Sequence, residues 1–399
     1  MNILVLDGNQ NQAVACVRSL ARHGHTVRAG ESCSWSKAGW SRYSSGSFRY
    51  AAPQADPERF VADVLTESAK ESGTLVLPMT EVTTLLISER RERFAVAGAR
   101  LVLPDHADLL RAVDKNFTTQ LAQSLGIAIP KSSLASTADE LRAVCQDMRF
   151  PLVLKPRASQ QQSSSGALQT TGRPVYARND TELMTAFSRT RQYCSSVIVQ
   201  EFVEGVGTGY FVLMNHGELR AEFAHRRIRD VYPTGSGSAL RESILPLAKV
   251  RAASLALLRA LNWHGVAMIE FRLREDGVPV FLETNGRFWH SLPLACYAGV
   301  EFPALLAHLA EFGDVDPPPP YQVGRKCRWL VGDFRHLLEV WKGPPPGYPG
   351  KFQRPWPTLL AELTPIPGTF HDNFEWRDPL PELGDWIGFA RKILDRASG

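Results

Sequence analysis

The chain has no uninterrupted apolar run of the roughly 18 residues that a membrane span requires. Its first apolar run is cut by Asp7 and has no basic stretch before it, so neither an anchor nor a secretory signal is expected. Cysteine is scarce. The six residues Cys16, Cys33, Cys145, Cys194, Cys296 and Cys327 show no C-x-x-C and no metal-finger spacing. That argues against a zinc module or a disulfide scaffold and predicts reduced thiols in a cytoplasmic protein. There is also no basic run interleaved with aromatics. A net charge of +4 with a pI near 8.7 suits a small anionic ligand and argues against nucleic acid. The dinucleotide fingerprint G-x-G-x-x-G is missing too: the first strand-to-helix turn reads Gly8-Asn9-Gln10-Asn11.

What is present is ordinary in composition, with 44% hydrophobic and 22% charged residues. At 399 residues the chain is long for one core and predicts about two to four subdomains. Residues 2–7 predict a buried strand, residues 12–23 a helix with Val14, Val17, Leu20 and Ala21 on one face, and residues 25–29 a second strand. This is a βαβ opening with a parallel sheet. The pattern continues with a helix near 57–70 and strands at 75–78 and 100–103. Thr80 and Glu81 follow one of these strands, at the carboxyl end where open α/β sheets take ligands. The alternative is a structural half-domain that supplies one wall of a cleft. From about residue 116 an α+β pattern follows, with helices at 116–125 and 137–147 and strands at 152–155 and 197–201. Between those strands the polar stretch Ser159-Gln160-Gln161-Gln162-Ser163-Ser164-Ser165-Gly166 reads either as a surface loop or as backbone folding over phosphates beside Lys155.

Two apolar runs, 265–272 and 278–283, flank an Asp276-Gly277 turn and predict an antiparallel hairpin. Glu270 and Glu283 are then expected side by side at the ends of its strands. With Asn285 they make a hard, all-oxygen ligand set suited to Mg²⁺, and Arg287 can neutralise a phosphoryl group. The plain alternative is two acids solvated at a strand end. Lys115 and Lys155, each taken alone, read as solvated lysines or as partners of an anion. Exposed backbone along Glu201-Phe202-Val203-Glu204-Gly205 can hold a base edge. Arg226, Arg227 and Arg229 form either a solvated face or a clamp for a carboxylate or triphosphate. His290 and Ser291 are candidates to line an acceptor pocket, with helix capping the other role for Ser291. The last segment, 313–399, is rich in proline and tryptophan, and its aromatic mass predicts an appendage packed on the body of the protein or on a partner subunit.

In order, the chain offers Asp114-Lys115, Pro151-Leu152-Val153-Leu154-Lys155-Pro156, Gln200-Glu201-Phe202-Val203-Glu204-Gly205, Met268-Ile269-Glu270-Phe271 and Phe281-Leu282-Glu283-Thr284-Asn285-Gly286-Arg287. This ordered set resembles the ATP-grasp enzymes, in the carboxylate–amine ligase-like (carbamoyl-phosphate-synthase-like) branch, over about residues 1–312. Within the branch the resemblance extends to Ala224-His225-Arg226-Arg227 and to Phe288-Trp289-His290-Ser291-Leu292-Pro293-Leu294. It implies an α/β and α+β architecture: a Rossmann-like preATP-grasp domain at 1–115, a small lobe at 116–204, a large lobe with the metal site at 205–312 and a C-terminal appendage at 313–399. It further implies ATP between the lobes, with Lys115 and Lys155 on its phosphates. Glu201 and the Phe202 and Val203 backbone would meet adenine, and Glu204 the ribose. Glu270, Glu283 and Asn285 would carry Mg²⁺ (or Mn²⁺), and Arg287 would steady the γ-phosphoryl group. The family chemistry activates a carboxylate as an acylphosphate, joins it to an amine and releases ADP and phosphate.

The expected partners are small carboxylate and amine substrates, with no nucleic acid and no membrane; a homodimer is left open. Two departures stand out. The loop after Lys155 has one glycine where many relatives have several, and neither Thr208 nor Tyr210, where many carry the ribose carboxylate, is acidic. The alternative function is a nucleotide-binding protein that keeps the fold without ligation. A biotin-type carboxylase is a weaker third reading, since the chain has no Met-Lys-Met carrier signature.

Overall fold

The computed structural model describes residues 1–157 and 174–397, with the backbone alone of residues 160–162, 168–170 and 396–397. Ser159 and the stretch from Ser163 to Gly166 lie outside the described residues.

The chain opens with β1 (Asn2–Val5), α1 (Asn11–Arg22), β2 (Thr26–Glu31), β3 (Gly46–Arg49), α2 (Pro57–Ser68) and β4 (Leu75–Leu77), then α3 (Glu81–Glu89), α4 (Arg91–Val96) and α5 (His106–Val113). The four strands form a parallel sheet in the order β3-β2-β1-β4. The expected strand at 100–103 is reduced to a single bridge between Arg100 and Leu75, because Pro104 ends the extended run before a ladder can build. The strand order reverses direction between β1 and β4, so their carboxyl ends define the crevice of this sheet. Asp7 sits there with φ of 54° and accepts from the Met79 and Thr80 amides, at 3.0 and 2.9 Å, and from the Thr83 hydroxyl at 2.6 Å. At the end of β2, Glu31 accepts from the Asn9 and Ser32 amides at 3.0 and 2.7 Å. Protein carboxylates thus take the loop amides that a pyrophosphate would need, which agrees with the missing glycine fingerprint.

A second, four-stranded sheet follows. It comprises α6 (Lys115–Ser124), β5 (Ser132–Ala135), α7 (Ala138–Cys145), β6 (Leu152–Pro156), the hairpin β7 (Gln160–Gln162) and β8 (Leu168–Thr170), β9 (Val175–Ala177), α8 (Asp180–Arg191) and β10 (Val197–Glu201). The order β5-β10-β6-β9 is antiparallel throughout, and its apolar face forms a separate core around Leu152, Leu154, Phe187 and Val199.

The third sheet has seven strands. Its elements are β11 (Val206–Asn215), β12 (Glu218–Arg229), β13 (Leu240–Ile244), α9 (Ala248–Ala260), β14 (Gly265–Leu273), β15 (Pro279–Asn285), α10 (Leu292–Ala298), α11 (Phe302–Phe312) and β16 (Lys326–Arg328). The remainder is α12 (Leu330–Lys342), α13 (Pro355–Leu363), β17 (Thr369–His371) and α14 (Leu380–Ala397). The order is β15-β14-β11-β12-β13-β16-β17. Alternation along β11 sends Phe211 and Leu213 into a core shared with β1, α1, α10 and α11, and Tyr210, Val212 and Met214 into a second core under α9. The first and third sheets are therefore joined by one continuous apolar cluster.

Residues 313–399 add β16 and β17 to the third sheet and return to the first. Arg18 meets Asp378 at 2.8 Å, and Lys37 meets Asp385 at 2.8 Å. Among the described residues no single helix is long and apolar enough to cross a membrane, and the apolar pair α10 and α11 is core.

Candidate active site

The hairpin forms as expected, with Gly277 at φ 74° closing the turn and its amide donating to the Arg274 carbonyl at 3.0 Å. Glu270 and Glu283 are direct cross-strand partners. They lie within the ladder and not at its ends, because Ile269, Phe271 and Phe281 bury the opposite face and prolong the pairing to Asn285 and to Leu273. A register shift between Glu270 and Phe271 marks a bulge beside the two acids. Gly286 is dictated by packing. A Cβ there would lie 2.6 Å from the Trp263 ring and 2.7 Å from Leu109, so the backbone carrying Asn285 and Arg287 passes directly over the core.

Four cations surround the pair of acids. Lys115 opens α6, whose N-cap Asp114 accepts from the Asn116 amide at 3.0 Å, and its Nζ lies 3.4 Å from Glu283 Oε2. Asn285 Nδ2 donates to Glu283 Oε1 at 3.2 Å. Burial alone would raise Glu283, but Lys115, the Asn285 amide and Lys155 outweigh it and hold the carboxyl well below the usual range. Lys155, near the end of β6, shows the converse. Burial and the nearby Lys115 push it down to about 8, against the pull of Glu283 and Glu270. Arg227 reaches Glu270 Oε2 at 2.6 Å, lying over Gly207, where a Cβ would come within 2.9 Å of its side chain. Arg272 lines the same space and donates to the Gly205 and Gly235 carbonyls at 2.9 and 2.8 Å.

Lys115, Lys155, Arg272 and the two acids open on a cavity of about 1210 Å³ between the second and third sheets. Lys115, Lys155, Glu201, Phe202, Val203, Glu270 and Glu283 all line it. Glu201 is partly committed, since its Oε1 accepts from the Arg149 amide at 2.9 Å. Glu204 lines an adjoining cleft of about 450 Å³, which Glu201, Phe202 and Val203 also line, together with Arg274, Glu275 and Asp276.

The three arginines of β12 do not form one clamp. Strand alternation sends Arg226 outward, 57% exposed and 2.7 Å from Glu242, while Arg227 turns to Glu270. A register shift between Arg227 and Arg229 directs Arg229 to Asp333 at 2.8 Å. His290 is packed 4.4 Å from the Trp329 ring, and burial, with Arg241 and Lys37, pushes its pKa well down. Ser291 is buried and shares a 2.8 Å hydrogen bond with His225 Nε2, so it neither caps α10 nor faces the cavity. Arg287 donates to its neighbouring Phe288 carbonyl at 2.9 Å. Its charge, with that of Lys115, acts on Glu81, whose carboxyl is raised by burial.

Sequence reasoning noted Glu81 for its place after β4 without giving it a role. It missed Arg272, although two-residue alternation from Glu270 points to it. It also missed a third wall. The proline-rich loop after α12, from Pro344 to Gly347, lines the cavity, and Tyr348 joins Tyr176 and Phe202 in an aromatic triad with ring centroids 5.0 to 6.2 Å apart. Arg178 donates to the Tyr348 carbonyl. Gly347 has φ of 73°, and a Cβ there would come within 2.5 Å of the Tyr176 carbonyl. No local pattern announces contacts between residues about 170 apart in the chain.

The donor set fits Mg²⁺. Among the described residues no three of His, Cys, Asp or Glu gather at a metal-binding distance. Two carboxylates beside an amide oxygen are an open, hard set of the kind that Mg²⁺ completes with water and phosphate oxygens.

No protein-family profile matches the chain. A D-alanine–D-alanine ligase of Nitrosomonas europaea is 25% identical over 218 residues, covering 50% of this chain and 67% of that one. The chain spans about two thirds of the length of such ligases, 66–67%. Among solved structures, a biotin carboxylase from Campylobacter jejuni, in a β,γ-ATP complex, superposes with a TM-score of 0.65 at 14% identity, over 82% of this chain and 74% of that one. An L-amino acid ligase from Bacillus licheniformis superposes with a TM-score of 0.57 at 16% identity, over 77% and 73% of the two chains.

Proposed function

We propose that this chain is an ATP-grasp protein and, on that premise, an ADP-forming ligase joining a carboxylate to an amine. One observation carries the reading: Glu270 and Glu283 face each other across a hairpin, inside a cavity that Lys115 and Lys155 also line. Lys115 and Lys155 hold the phosphate oxygens of ATP, and the Phe202–Val203 backbone, walled by Tyr176 and Tyr348, holds the base. Glu270, Glu283 and Asn285 would hold Mg²⁺, which neutralises charge between the triphosphate oxygens when bound. Arg287 donates to the γ-phosphoryl group as it leaves ADP for a substrate carboxylate oxygen, forming an acylphosphate. An amine then attacks the acyl carbon, the C–N bond forms, and phosphate leaves.

In this scheme the proton lost by the attacking amine leaves with the phosphate. Arg226, Arg229, His290 and Ser291 fall outside the proposed site; Glu204, beside the Glu201–Val203 linker, stays the candidate for the ribose. The division at 115, 204 and 312, a small carboxylate and amine as substrates, a cytoplasmic setting and a homodimer belong to the same proposal. Nothing specific favours nucleotide binding without ligation, because every residue type the transfer requires is present.

The test is a screen of amino acids and small acids for stimulated release of ADP and phosphate, with product mass measured. Release of AMP and pyrophosphate would overturn the acylphosphate route.

A further inference from the structure

Helix α13 is amphipathic the wrong way round. Its polar residues Thr358 and Glu362 are buried, while Trp356 (68% exposed), Leu360 (66%) and Leu363 (70%) face outward at positions i, i+4 and i+7. Helix α12 buries Val331, Leu337 and Val340 and still leaves Phe334, Leu338 and Trp341 exposed. The two stripes are one surface: the Trp341 and Trp356 rings lie 5.6 Å apart, and Phe334 lies 5.7 Å from Trp386 of α14. A large aromatic side chain carries about 150–250 Å². At their exposures the six stripe residues present on the order of 600 Å² of contiguous apolar surface, the upper end of what a monomer shows and near the roughly 800 Å² per partner of a standard interface.

We propose that the outward face of α12 and α13 is the two-fold interface of a homodimer. The proposal rests on the homodimer reading above and assigns it a surface. A second copy suits this face for two reasons. No acidic or basic side chain points outward from α13, Lys342 of α12 is paired with Glu339 at 2.8 Å and Arg354 lies at the end of the stripe, so the apolar stripe itself meets its own copy about a two-fold axis without setting like charges together. A helix that lies on a membrane carries its lysines and arginines on a solvent-facing polar side. The polar side of α13 is Thr358 and Glu362, turned inward. Because the segment joining α12 to α13 carries Gly347 and Tyr348, dimerisation also braces the third wall of the nucleotide cavity.

Sedimentation equilibrium of the full chain tests this. The wild type is expected to be dimeric. Leu360→Glu and Leu363→Glu are expected to weaken association by at least roughly 100-fold, since each change enters a symmetric interface twice. Both positions are exposed, so circular dichroism and Tm should match wild type, and Val96→Glu, on the exposed end of α4, should stay dimeric. A wild type that remains monomeric at the highest attainable concentration overturns both the homodimer and its surface. A dimer that survives both substitutions overturns the surface alone. A monomer that sediments with phosphatidylglycerol vesicles overturns the proposal in favour of a lipid surface. Ligation is read separately, by the product screen.

Discussion

Two clusters of buried charge lie on the same sheet and are built to opposite ends. Around Arg241 and Asp372, both side chains are fully inaccessible. Asp372 is enclosed by Arg241, by the Cys327 thiol at 3.1 Å and by the Asn11 amide at 3.0 Å, and Arg241 also donates to the Ser238 carbonyl at 3.2 Å. Around Glu270 and Glu283, Arg227 pairs with Glu270 at 2.6 Å and Lys115 lies 3.4 Å from Glu283, yet the two acids border a cavity, with the Glu283 side chain 33% exposed. The first cluster has spent its charges on itself, so removing one member strands the other in a dry interior. The second keeps charges of both signs at the edge of an open space, where a polyanion and a cation can still join them. Burial alone does not mark a functional charge; the remaining coordination room does.

The largest expected effects would break this contrast. Asp372→Asn should lower stability by about 3–5 kcal/mol, the usual consequence of leaving a buried arginine uncompensated. Glu283→Gln should leave Tm within a few degrees of wild type and abolish turnover, because it removes a metal-ligating charge without changing volume. Thermal unfolding beside phosphate release measures both. An unstable Glu283→Gln protein, or an unaffected Asp372→Asn protein, would mean that the two clusters are alike.

Next in size is Arg287. A donor to a developing anion is worth roughly 3–4 kcal/mol, or about 100- to 1000-fold in rate. Arg287→Ala and Arg287→Lys should bind ATP within a few-fold of wild type by calorimetry and lose that factor in kcat, with Lys rescuing poorly because it lacks the planar fork. A near-normal kcat would reduce Arg287 to a structural residue.

The smallest effect sharpens the comparison by pH. Lys155 falls from 10.5 to about 8 on folding, so between those values the unfolded chain binds more protons and stability rises with pH. Phosphate binding works in the other direction. It favours the charged lysine, so ATP affinity should decline above about pH 8, and binding just above that pH should draw in a proton. Calorimetry in buffers of different ionisation heats measures the uptake, which Lys155→Met should abolish. An uptake unchanged in that variant would assign the proton elsewhere.

Much of this was legible in the residues. The hairpin could be read because its turn, its alternation and its two acids are local, and the cross-strand pairing of Glu270 with Glu283 follows from them. Lys155 and the Glu201–Val203 linker could be read because each ends a short apolar strand. Reading failed where direction depends on a register shift, as between Arg227 and Arg229. It failed completely for Tyr348 and Gly347, whose place on the cavity depends on a return of the chain from far away in sequence.

The join between β13 and β16 carries a consequence for how the protein is made. Until β16 emerges, the β13 edge of the third sheet presents unpaired amides and carbonyls, and Arg241 has no Asp372 to meet. The lysines and carboxylates proposed to meet ATP are all synthesised by then, although the Pro344–Gly347 wall of the cavity is not, and the sheet that holds them cannot close. A ribosome that stalls near residue 312 would therefore release a sticky, half-edged sheet and not a working small enzyme. The last quarter of the gene decides whether the first three quarters become a protein.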